Sequence, residues 1–108
     1  MALTPAVFHI LLALAQEDRH GYGILKEVLR LTDRQVRLGP GTLYGTLQRL
    51  MDQGLVEETA RASASDERRR YYRLTRKGRR ALHDEVARMD MLLRTARAQR
   101  MVPRPSRG

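Results

Sequence analysis

Apolar residues along the chain follow a helical period up to about residue 54, alternate through the segment that follows, and return to a helical period after Thr75. Val7, Phe8, Ile10, Leu11, Leu12 and Leu14 make the first segment apolar nearly all round. This predicts a helix, running to about Gln16, that is buried in a core or an interface. Thr4 suits its N-cap and Pro5 its first turn. The polar stretch from Glu17 to Gly21 ends in His-Gly and reads as a turn. A second helix is expected from about Tyr22 to Leu31, with Leu25, Val28 and Leu29 as its inner face. Thr32 to Leu38 is a polar connection. Leu43, Leu47 and Leu50, at i, i+4 and i+7, then form one apolar stripe. They predict a third helix from about Pro40 to Gln53, closed by Gly54.

From Leu55 the pattern is that of strands. LVEETARA and RRRYYRL flank the small, polar ASASDE, which reads as a hairpin tip. In the second strand Tyr72 and Leu74 share one face, and Tyr71 and Arg73 the other. Thr75 caps a last helix, from about Arg76 to Met101. On it Leu82, Val86, Met89, Leu93 and Ala96 are spaced 4, 3, 4, 3, a heptad seam suited to pairing with a second copy. The tail, 102–108, is Pro- and Arg-rich and is expected to be disordered.

Three helices followed by a hairpin is the layout of a winged helix-turn-helix. The fold expected is therefore mainly α with a β-hairpin wing. A DNA-binding domain is placed over residues 1–75, a dimerisation helix over 76–101 and a disordered basic tail over 102–108.

Charge sharpens this picture. The net charge of the 108-residue chain is +9. Residues 1–60 carry six Lys/Arg against seven Asp/Glu, whereas residues 61–108 carry fifteen against five, so the positive excess lies in the second half of the chain. Such a block suits a polyanion, either nucleic acid or an anionic membrane surface. The seam offers Met and Ala rather than bulky anchors, and the chain has no Trp, which favours pairing over membrane binding. The absence of cysteine excludes disulfides, zinc–cysteine sites and thiol nucleophiles, and suits a reducing cytoplasm. AVFHILLALA resembles a signal peptide, but no Lys or Arg precedes it and it is too short to span a bilayer, so a cytoplasmic protein is expected.

The third helix carries the chemistry for reading DNA. With its leucines turned inward, Gly41, Gly45, Gln48, Arg49 and Asp52 face outward, with Thr42 and Tyr44 on the flanks. Glycines there allow close approach of helix backbone to another surface. Gln suits adenine edges and Arg guanine edges. The hydroxyls of Thr42 and Tyr44 can reach phosphates. Tyr22 and Lys26 on the second helix, and Arg61, Arg68, Arg69 and Arg70 of the wing, complete the expected DNA-binding set. Asp66 and Glu67 at the tip offer the arginines an alternative as a salt-bridged, solvated hairpin.

HGYGILKEV, GPGTLYGTLQRLMDQGLVEE and RRRYYRLTRKGRRAL together resemble the PadR family of bacterial transcriptional regulators, over roughly Leu3 to Leu82. The resemblance implies a winged-helix homodimer that binds an operator, usually as a repressor. It places the recognition helix on Pro40 to Gln53, the family's frequent Tyr on Tyr44 and the wing on Arg61 through Arg70. The chain departs from many members in having Gly39 where they have Ser, and in lacking the Trp used by members with a drug pocket at the dimer interface. A small-molecule effector is thus possible but not indicated.

The alternative class is a protein-interaction module acting through the long last helix. An enzyme is not expected. His9, His20 and His83 are scattered, His83, Asp84 and Glu85 point in different directions on a helix, and neither a phosphate-binding loop nor a nucleophile elbow is present. No metal site and no cofactor is expected.

Overall fold

The computed structural model describes residues 3–59 and 70–101. The elements are α1 (Pro5–Leu14), β1 (Arg19–His20), α2 (Gly21–Leu31), α3 (Pro40–Asp52), β2 (Val56–Thr59), β3 (Tyr71–Leu74) and α4 (Arg76–Ala98). This is the winged helix-turn-helix order. The described part of the wing is its base, and its tip, with Arg61, Arg68 and Arg69, lies outside the described residues, as does 102–108.

Each helix start follows from local chemistry. The hydroxyl of Thr4 accepts from the Val7 amide at 3.3 Å, and that of Thr75 from the Gly78 amide at 3.0 Å. His20 caps α2 through Nδ1, which accepts from the Gly23 amide at 3.0 Å. Each thereby satisfies a donor that the first turn leaves unpaired. Gly39, at the same position before α3, supplies no side-chain cap.

Three helices end alike, on a left-handed residue that turns two amides back onto the last turn. After α3 this residue is Gly54 (φ 75°), with the Leu55 amide donating to the Leu50 carbonyl at 2.9 Å. After α2 it is Asp33 (φ 51°), with the Arg34 amide on the Leu29 carbonyl at 2.7 Å. After α4 it is Arg100 (φ 61°), with the Met101 amide on the Ala96 carbonyl at 2.9 Å. That last turn ends α4 at Ala98, short of the expected Met101. Helix α1 stops at Leu14 rather than Gln16 because the Ala15 amide tightens onto the Leu12 carbonyl, at 3.1 Å.

Two expectations are corrected. The stretch read as a turn before α2 contains a strand. Arg19 and His20 pair with Tyr72 and Tyr71 of β3, so the sheet is three-stranded and antiparallel, in the order β1-β3-β2. The inner face of α2 is also rotated from the one expected. It consists of Gly21, Ile24, Glu27 and Val28, with Leu25 only partly buried. The Glu27 carboxylate is drawn inward by Arg30, at 2.7 and 2.8 Å, and by Arg19 at 3.5 Å. That ion cluster turns the helix away from a purely apolar face.

The core joins the four helices with β2 and β3. Ile10, Leu11 and Leu14 of α1 meet Ile24 and Val28 of α2, the leucine stripe of α3, Val56, Tyr72 and Leu74 of the sheet, and Leu82 of α4. Leu43, Leu47 and Leu50 are all buried, and the alternation of Tyr72 and Leu74 inward against Arg73 outward is as the sequence predicts. Helix α4 enters this body at Gly78, which packs directly on the main chain of Leu55. Farther along, Glu85 is buried. It accepts from the Leu3 amide at 3.0 Å and from Arg88 at 2.6 and 3.1 Å. Beyond Glu85 the helix projects from the body.

Candidate nucleic-acid interface

Packing of the leucine stripe forces the opposite face of α3 into solvent. Gly41, Thr42, Gly45, Gln48, Arg49 and Asp52 are all exposed. A Cβ built on Gly41 or Gly45 would meet nothing within 4 Å, so this side of the helix is bare backbone with open space before it. Thr46 sits between the two faces and is buried. Its hydroxyl accepts from Arg49 at 3.4 Å, and Gln48 donates to Asp52 at 3.1 Å. Gln48 and Arg49 therefore stand side by side at the far end of the glycine face, each steadied within the helix.

Tyr44 leaves the flank of α3 and reaches the start of α2. It is 52% exposed, yet its phenol lies against Gly21, where a methyl group would overlap the hydroxyl. Close by, Tyr22 is 62% exposed, its ring parallel to that of His20 at 6.5 Å, with the Lys26 ammonium 5.5 Å from the Tyr22 centroid. An open pocket of about 400 Å³ runs along this surface, lined by Arg19, His20, Tyr22, Lys26 and Arg30. The pair of hydrogen bonds from Arg30 holds the Glu27 carboxyl below the ordinary carboxylate value, against the opposing effect of burial.

At the wing base the described cations are paired. Arg70 lies 3.6 Å from Glu58, and Arg73 donates to Glu57 at 2.8 Å. Burial, with the nearby Glu58 carboxylate, pushes the Tyr72 phenol up. The pairing weighed for Asp66 and Glu67 at the tip lies outside the described residues. Of the expected DNA-binding residues, Thr42, Tyr44, Gly45, Gln48 and Arg49 are exposed on α3, Tyr22 and Lys26 on α2, and Arg70 at the wing base. Arg61, Arg68 and Arg69 lie outside the described residues.

On α4, Val86, Met89 and Leu93 are exposed and Ala96 is half-buried, whereas Leu82, expected to open the seam, is 6% exposed and belongs to the chain's own core. Sequence reading missed Leu92, which is 55% exposed. It lies three residues after Met89 and four before Ala96, and so broadens the apolar strip. That spacing was the signal available. Among the described residues no group of three His, Asp or Glu side chains could hold a metal. None of the described helices is long and apolar enough to cross a membrane.

The model of the transcriptional regulator PadR-like family matches residues 10–84. The chain belongs to that family. It is 37% identical over 86 residues to the transcriptional regulator Rv3488 of Mycobacterium tuberculosis, covering 80% of this chain and 77% of that one. Among solved structures, the PadR-like transcriptional regulator of Bacillus cereus superposes with a TM-score of 0.75 at 26% identity, over 91% of this chain and 93% of that one. Bacillus subtilis PadR, solved in complex with operator DNA, shares the fold with a TM-score of 0.67 at 22% identity, over 77% of this chain and 47% of that one. PadR-like proteins are regulators of transcription, not enzymes.

Proposed function

We propose that this PadR-like regulator binds a double-stranded operator as a homodimer and acts as a repressor in the cytoplasm. The observation that carries the reading is the face of α3. Two glycines with open space before them, Thr42 beside them, and Gln48 and Arg49 one turn on combine backbone clearance with base-reading side chains. A helix that only packed against protein would gain from side chains at Gly41 and Gly45. Tyr22, Lys26 and the phenol of Tyr44 flank this face and offer phosphate contacts, with Arg61, Arg68, Arg69 and Arg70 of the wing beyond them. The exposed apolar strip of α4 pairs the two copies, so that the reading heads face a pseudo-palindrome one helical turn or a multiple apart. A bound Bacillus subtilis relative supports DNA as the partner.

Selection of bound sequences from a random duplex pool tests this. A two-fold symmetric consensus is expected, with affinity falling by a log–log salt slope near −0.9 per phosphate contact. Recovery of random sequence, or of a stoichiometric protein partner with no DNA, would overturn it. Repression is read separately, as raised expression from the selected operator when the protein is removed.

A further inference from the structure

We propose that Gly21 is a positioning residue for operator binding, acting through Tyr44 to set the recognition helix against the start of α2. The proposal rests on the DNA-binding reading above and names a residue outside the reading face.

Gly21 is the first residue of α2 and is buried. It has no positive φ that would require glycine. What it lacks is room. A methyl on Gly21 would overlap the Tyr44 hydroxyl and lie 2.8 Å from Cζ and 3.1 Å from Cε1 of the same ring. All three atoms nearest to that methyl belong to Tyr44. The Tyr44 ring therefore occupies the space that a side chain at position 21 would take.

One ring thus bridges α3 and the start of α2. The direct α2–α3 contact is slight by comparison with α1–α2, so a ring wedged between them has few competitors. The atoms displaced by an alanine are the far end of a flexible side chain, not backbone. Alanine at position 21 should therefore leave the core intact and swing Tyr44 outward, freeing α3 to shift against α2.

The experiment compares the wild type, Gly21→Ala, Tyr44→Leu and the double variant. It uses the full chain and the duplex selected by the wild type. Thermal unfolding without DNA reads the contact, and affinity across a salt series reads the positioning. Gly21→Ala is expected to weaken binding at least tenfold and to flatten the salt slope by about one phosphate contact. In the Tyr44→Leu background it is expected to change neither binding nor unfolding further, because the ring it would strike is gone. A merely structural role would lower the folded fraction and leave the slope unchanged, which overturns the proposal. So would equal losses in both backgrounds, or wild-type binding by Gly21→Ala. If the wild type selects no duplex, the DNA-binding reading fails instead, and the proposal with it.

Discussion

Gly78 and Leu55 meet main chain to main chain. A Cβ on Gly78 would overlap the Leu55 carbonyl oxygen and lie 2.9 Å from its carbon. That same oxygen accepts from the Thr75 amide at 3.1 Å, so it is fixed from the α4 side as well. Glycine to alanine in a helix usually stabilises, by up to about 1 kcal/mol. Here the sign reverses. Gly78→Ala is expected to destabilise the chain by about 1–3 kcal/mol, because a backbone cannot step aside as a side chain can. Chemical denaturation checks this, and an unchanged or raised midpoint would contradict it.

Gly45 is the opposite case, with nothing within 4 Å of its absent side chain. Gly45→Ala should raise stability by up to about 1 kcal/mol. Gly45→Leu should fold equally well yet lose operator binding, since the added bulk fills the clearance in front of α3. Thermal unfolding beside a binding titration separates the two effects. Retained binding by the leucine variant would show that this face does not meet DNA.

Arg49→Ala should cost about 1–3 kcal/mol of operator affinity and relax preference at one base pair, if the guanidinium reads a guanine edge. The Thr46 hydroxyl that steadies it lies 3.4 Å away. Thr46→Val should therefore weaken the same base preference more mildly. A loss spread evenly over all sequences would make Arg49 a phosphate contact.

Glu85 links acidity to stability. The hydrogen bonds from Arg88, with that from the Leu3 amide, hold its carboxyl well below the usual value, at about 2. Because the folded pKa is depressed, its contribution is complete above the unfolded carboxylate value near 4.5 and is lost as pH falls towards 2. Glu85→Gln presents an amide N–H₂ to a guanidinium and should be less stable at neutral pH. Its stability should also fall less steeply between pH 5 and 2 than that of the wild type (roughly the window set by the two pKa values). Denaturant midpoints across that range decide it. Parallel curves would remove Glu85 as the source.

Leu93→Asp, on the exposed strip of α4, should convert the proposed dimer to a monomer with its helix content unchanged, because Leu93 makes no part of the chain's own core. Sedimentation of both proteins at equal concentration tests it.

The long periodic segments were legible. The leucine stripe of α3, the caps Thr4 and Thr75, and the alternation in β3 all follow from spacing and side-chain chemistry that act within a few residues. Strand β1 was not legible, because two residues cannot display an alternation, and Arg19 and His20 are extended only through pairing with β3, more than fifty positions away. The rotation of α2 was hidden for a related reason. Glu27 looks like a surface residue until Arg19 arrives from a neighbouring strand to help bury its charge. In the candidate interface, the exposed face of α3 was readable from its stripe. The seating of Tyr44 on Gly21 was not, since it depends on how two helices cross.

The free reach of α4 makes the protein a lever. Its 23 residues span about 34 Å, and none after Glu85 is fully buried. The projecting part after Glu85 spans about 20 Å, so a rotation of about 10° there would carry the far end through about 3 Å, close to the rise of one base pair along a duplex. In the proposed dimer, the firmness with which Glu85 is held becomes the tolerance with which two half-sites are measured.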